Sequence, residues 1–160
     1  MEQPKRKRPR HPGYDYSQPN AYFITICTKD KRSFFGPVGA DSISARMIRR
    51  TFLETIDSFS YVTCPIFTVM PNHVHAIIQI ERADIESAPT ISEIIQAFKR
   101  YSTLEYIKLV KNGCVSPFKG KIWQRSFHDH VIRDEAGFLK IWNYIDGNPS
   151  KWEEDCFYVE

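Results

Sequence analysis

Tyr61 to Ile80 read YVTCPIFTVMPNHVHAIIQI. Two runs rich in β-branched and aromatic residues flank Pro71-Asn72, a turn signal, so the stretch predicts two successive strands. Pro65 lies inside the first run and cannot donate to a ladder, which implies a bulge or an edge position. The second run has two unlike faces. Alternation puts Val74, Ala76, Ile78 and Ile80 on one side and His73, His75, Ile77 and Gln79 on the other. The first side is wholly apolar and belongs under helices; the second is expected on the side that the helices leave free.

Outward from this pair, Tyr22 to Thr28 (YFITICT) has strand character. Apolar residues from Asp41 to Phe59 recur near helical spacing, at Ile43, Met47, Phe52, Ile56 and Phe59. Downstream, Thr90 and Glu93 form a capping-box signature after Pro89, opening a helix that stops at Lys111-Asn112-Gly113. Ile122 to Ile132 is expected as one last strand. Asp134 then caps a helix to about Asp146, ended by Gly147-Asn148-Pro149. The order is strand, helix, strand, strand, helix, strand, helix. Its first six members match a ferredoxin-like split βαβ arrangement in the α+β class: an antiparallel sheet with two helices on one face. The C-terminal helix is extra, and extra elements on a common fold often carry function.

The chain has 160 residues, 42% of them apolar and 26% charged, which suits one globular domain and excludes a disordered or collagen-like chain. Its apolar runs are too short to cross a bilayer, and no apolar segment follows the basic start to make a signal peptide. Cys27, Cys64, Cys114 and Cys156 show no metal or disulfide spacing, as expected of a reducing cytoplasm. We divide the chain into a basic, proline-rich arm (1–19), one domain (20–152) and an acidic tail (153–160).

Net charge is +3, unevenly spread. Residues 1–10 hold five basic side chains against Glu2, and Gln96 to Arg125 holds seven against Glu105. Two basic segments suit a polyanion such as nucleic acid; a solvated face with a frayed terminus is the plainer alternative. The candidate contacts to such a polyanion are Arg6, Arg8 and Arg10 on the arm, then Lys99, Arg100, Lys121 and Arg125.

The chemistry-bearing residues are fewer. His73 and His75 rise in parallel from one strand face, roughly 6.7 Å apart at Cα, where both imidazoles can converge on one divalent cation. A pair of ligands leaves coordination positions open, which suits a catalytic metal. His128-Asp129-His130 competes for this role, but its charged middle residue makes a poorer core face, so the first pair is preferred. On the last helix Phe138, Ile141, Trp142 and Ile145 form a packing stripe. Tyr144 falls about 110° from its middle, on the flank, with Asn148 four residues further along. A phenol can act as a nucleophile and an amide oxygen can join a cation's shell.

Met70-Pro71-Asn72-His73-Val74-His75, Trp123-Gln124-Arg125, Asp129-His130-Val131-Ile132-Arg133 and Tyr144-Ile145 with Asn148-Pro149, taken in order, resemble the single-tyrosine transposases of the HUH class. Arg8-Pro9-Arg10, Tyr22-Phe23 and Trp152 make the chain most similar to the REP-associated tyrosine transposases within it. The resemblance spans Arg8 to Trp152. It implies an enzyme that binds single-stranded or hairpin DNA and cleaves and rejoins it through a 5′-phosphotyrosine. His73 and His75 are then ligands of Mg²⁺ or Mn²⁺, Tyr144 is the nucleophile and Asn148 the third ligand. It further implies a bacterial, cytoplasmic protein, associated with the nucleoid when on DNA, acting as a monomer, with a dimer as the alternative. Two rival readings stay open: a hairpin-binding protein that no longer cuts, and a metal-dependent phosphodiesterase that uses water.

Overall fold

The structure is a computed structural model and describes residues 21–39, 41–81 and 88–160. Arg6, Arg8 and Arg10, and with them the expected arm, lie outside the described residues. Four strands form one antiparallel sheet: β1 (Ala21–Cys27), β2 (Val62–Met70), β3 (His73–Ile80) and β4 (His128–Ile132), in the order β2-β3-β1-β4. Helices α1 (Ile43–Asp57) and α2 (Ile91–Lys111) follow β1 and β3, and α3 (Glu135–Gly147) follows β4. This is the expected split βαβ order with one helix added.

Local chemistry explains the boundaries. Ser42 caps α1 by accepting the Ala45 amide at 3.0 Å. Thr90 and Glu93 close a complete capping box on α2, with the Thr90 amide donating to Glu93 Oε2 at 2.7 Å and the Glu93 amide to Thr90 Oγ1 at 3.2 Å. Asp134 caps α3 through the Gly137 amide at 2.6 Å. Pro65 sits in a register shift between Thr63 and Ile66, on the edge strand β2. Both expectations for that proline hold together.

The two faces of the sheet differ as the alternation requires. Tyr22, Ile24 and Ile26 of β1 join Val74, Ala76, Ile78 and Ile80 of β3 in the main core, packed with Met47, Ile48 and Phe52 of α1 and Ile94, Ile95 and Phe98 of α2. The opposite face, expected to be free, is covered by α3. A second cluster there joins Ile77, Ile132 and Ile145, with Phe138, Ile141 and Trp142 packed around it. An amphipathic helix with nowhere else to bury its stripe must take this face.

The last strand is also shorter than expected. Residues 122–132 pair in two pieces: Trp123 bridges Thr28, just past β1, and the regular ladder against Ala21–Thr25 begins only at His128. Between them the Lys99 ammonium donates to the carbonyls of Gln124 at 2.8 Å, Arg125 at 3.4 Å and Ser126 at 3.1 Å. The ammonium thus satisfies carbonyls of a stretch in which no regular ladder pairing with β1 is formed. The cysteines carry no disulfide, and burial pushes the Cys27 and Cys64 thiols up to about 12. Among the described residues no helix is long and apolar enough to cross a membrane.

Candidate active site

The β2–β3 turn and the β3 alternation deliver His73 and His75 side by side on the α3 face, both buried. Their Nε2 atoms are 3.0 Å apart. The opposite ring nitrogens are engaged: His73 Nδ1 lies 2.8 Å from Asn72 Oδ1, and His75 Nδ1 lies 2.8 Å from Thr25 Oγ1. Thr25 is the register partner of His75 on β1, so the sheet itself places that hydroxyl.

Helix α3 brings the phenol. Ile145, fully buried, seats the helix on the sheet; burying such a side chain contributes about 1.5–3 kcal/mol. One residue earlier, Tyr144 stays on the flank at 43% exposure. Its Oη lies 3.5 Å from His75 Nε2, and its ring meets Phe23 edge-on at 5.9 Å. Helical geometry persists through Asn148 (φ −60°, ψ −42°), so this residue projects from the same flank and is buried. The expected residues Tyr144, His73, His75 and Asn148 are therefore brought together.

Sequence reasoning missed Asp155. It falls in the expected acidic tail, yet a short 3-10 stretch (Asn148–Glu154) turns the chain back over the histidines. Asp155 Oδ2 stands 3.7 Å from His73 Nε2 and 3.8 Å from His75 Nε2, and accepts a 2.7 Å hydrogen bond from Asn148 Nδ2. Its Oδ1 accepts the Phe157 amide at 2.7 Å. The Phe157 ring packs on His73 at 4.7 Å, while Trp152 flanks it at 5.9 Å. Tyr144, Asn148, Lys151 and Asp155 line a pocket of about 430 Å³ beside the histidines.

Burial drives His73 down to about 3, and the neighbouring His75 adds to the fall. Burial likewise lowers His75. Both imidazoles are thus neutral near pH 7, the form that ligates metals. Burial works against charge on Asp155, but the nearby His75 and Asn148 side chains and the Phe157 amide outweigh it and hold the carboxyl below its ordinary range. Burial, and then the Asp155 charge, push the Tyr144 phenol up to about 12. A bound cation reverses the sign of that local field.

The donor set fits a divalent cation. Two neutral imidazole nitrogens and a carboxylate oxygen lie within 4.8 Å of one another, all buried. Asn148 Oδ1 is buried and makes no hydrogen bond among the described residues. A buried acceptor without a donor is costly, and a cation at the imidazole pair is a partner that this oxygen can serve.

The rival pair shares the sheet face of His73 and His75 but stays outside the cluster, the His128 ring lying 6.3 Å from that of Phe157. His128 and His130 lie exposed on β4, and neither belongs to a cluster of potential ligands among the described residues. The four described basic candidates, Lys99, Arg100, Lys121 and Arg125, line one shallow concavity of about 300 Å³. Within it Lys99 is turned inward to the 124–126 carbonyls and Arg100 stacks on Tyr101, 4.9 Å from the ring centre. The other tyrosine on α2, Tyr106, is core, packed against Phe34 and Phe118.

Comparison with known proteins decides the family. A family model described as "Transposase IS200 like" matches residues 20–148. The chain belongs to the IS200-like transposase family. It is 28% identical to a REP-associated tyrosine transposase of Haemophilus influenzae, over 86% of this chain and 74% of that one. It is 29% identical to a second Haemophilus influenzae protein of no stated function, over 92% of this chain and 89% of the other. Its fold is similar to that of a REP-associated tyrosine transposase solved bound to a REP hairpin, with a TM-score of 0.65 and 21% identity, over 86% of this chain and 71% of that chain. Membership makes it an enzyme that acts on DNA.

Proposed function

We propose that this IS200-like transposase binds hairpin DNA and cleaves and rejoins an adjacent single strand, with Tyr144 as the nucleophile. The observation that carries the reading is the approach of Tyr144 Oη to 3.5 Å from His75 Nε2, at the edge of the buried His-His-Asp cluster. A nucleophile beside a cation site suits phosphodiester cleavage, since the one supplies the attacking atom and the other neutralises the charge that develops.

His73, His75 and Asp155 would hold the cation, Mg²⁺ or Mn²⁺, and Asn148 Oδ1 would be available to it. When bound, the cation supplies positive charge to the non-bridging oxygens as negative charge develops there. Lys151 on the pocket wall adds a second positive charge for the phosphate. Tyr144 gives its proton to solvent and attacks phosphorus; the bond to the 3′ oxygen breaks, and that oxygen takes up a proton from solvent, so no net proton is consumed. The products are a 5′-phosphotyrosine and a free 3′-hydroxyl. A different 3′-hydroxyl reverses the step and joins strands, because the phosphoester bond is conserved in the covalent link.

The hairpin seen on the solved relative, together with Lys121 and Arg125 in the basic concavity, supports hairpin DNA as the partner. Tyr144 reaches the histidines of its own chain, so one copy contains the whole set, which supports action as a monomer. The test is a denaturing gel with an end-labelled single-stranded hairpin and Mn²⁺. A slow covalent band is expected; cutting without that band would favour a water-using nuclease, and uncut DNA that is still bound would favour a binding protein only.

A further inference from the structure

Asn72 is 1% exposed and its side chain is used at both ends. On one side Nδ2 faces two main-chain carbonyls, Lys31 O at 3.2 Å and Phe157 O at 2.8 Å. Carbonyls only accept, so the amide cannot be turned over: its NH₂ must face them and its Oδ1 must face His73. That oxygen is also only an acceptor, and it lies 2.8 Å from His73 Nδ1. His73 Nδ1 must therefore carry the ring proton, which leaves Nε2 as a bare lone pair directed toward His75 and Asp155. The main chain of Asn72 is pinned as well, its carbonyl accepting from the Thr28 amide at 2.9 Å and Thr28 Oγ1 at 3.0 Å.

We infer that Asn72 is a positioning residue which selects the ligating tautomer of His73 and ties it to the returning C-terminal segment. One amide thus reads whether Phe157 is docked and, through the same plane, fixes which nitrogen of His73 is free. The inference rests on the proposed cation site for its consequence, but the tautomer itself is a property of the metal-free protein. Groups of this kind, hydrogen-bonded behind a ligating imidazole, typically govern metal affinity 10–100-fold.

Two measurements test it. In the metal-free, unaltered protein, long-range ¹H–¹⁵N spectra should show His73 with Nδ1 protonated and Nε2 bare; an Nε2-protonated ring overturns the inference. In Asn72→Ala, Mn²⁺ affinity measured by electron paramagnetic resonance should fall at least about tenfold, with the protein still folded by circular dichroism. Affinity within twofold of the parent overturns the inference. Should the parent bind no Mn²⁺, the proposed cation site fails, and the tautomer spectrum still decides the role of Asn72.

Discussion

Asn148 donates its amide to Asp155 over 2.7 Å, joining the end of the tyrosine helix to a residue seven positions later. The bond orients both side chains at the imidazole pair. It also makes Asp155 a member of the site that cannot be removed without disturbing Asn148. Asp155→Ala deletes the anionic donor and should weaken Mn²⁺ binding by about tenfold or more, or roughly 1.4 kcal/mol per tenfold. Isothermal titration of variant and parent checks this, and unchanged affinity would remove Asp155 from the ligand set.

His73→Ala and His75→Ala should each abolish strand cleavage while hairpin affinity stays within a few-fold of the parent. His128→Ala and His130→Ala should leave metal binding intact, because both rings are exposed on β4 and outside the His-His-Asp cluster. Loss of Mn²⁺ binding in the β4 variants alone would move the site.

The metal-free protein should lose stability on acidification. His73 is depressed to about 3 against an ordinary value of 6.5, and His75 is lowered too, so the unfolded chain binds more protons between these limits. Stability is then fully present above pH 6.5 and declines as pH falls toward the folded value. Melting temperatures in chelator from pH 7.5 to 4 should fall, and fall less steeply in His73→Ala. A flat profile would contradict the burial of neutral imidazoles.

Lys121→Ala and Arg125→Ala should weaken hairpin binding and flatten its salt dependence, by up to about 0.7 in slope for each lost single-strand phosphate contact. Lys99→Ala should behave differently. Its ammonium holds the 124–126 carbonyls, so its loss should lower the melting temperature first. Equal salt slopes in the parent and in Lys121→Ala and Arg125→Ala would show that this concavity does not meet DNA.

The sheet and its helices were legible because their signals are local. The period of two in β3 separates Val74, Ala76 and Ile78 from His73 and His75, and the capping box at Thr90 marks the start of α2 without any tertiary knowledge. Tyr144 and Asn148 were legible for the same reason, since a spacing of four places both on one helix flank. Asp155 was not. It stands in a run of acids with no periodic partner, and only the docking of Phe157 on His73 and the Asn72 bond to the Phe157 carbonyl turn it inward. The irregular stretch before β4 was hidden likewise, because its carbonyls are met by Lys99 reaching across from another element.

The claim on which the account turns is the covalent bond at Tyr144, and mass spectrometry of the trapped product tests it most directly. Incubation of the protein with a single-stranded hairpin oligonucleotide and Mn²⁺, followed by nuclease trimming and peptide mapping, should place a 5′-nucleotide phosphate on the peptide containing Tyr144. Tyr144→Phe should bind the hairpin, remain folded and carry no such mass. A nucleotide found on any other residue, or an adduct that persists in Tyr144→Phe, would contradict the account.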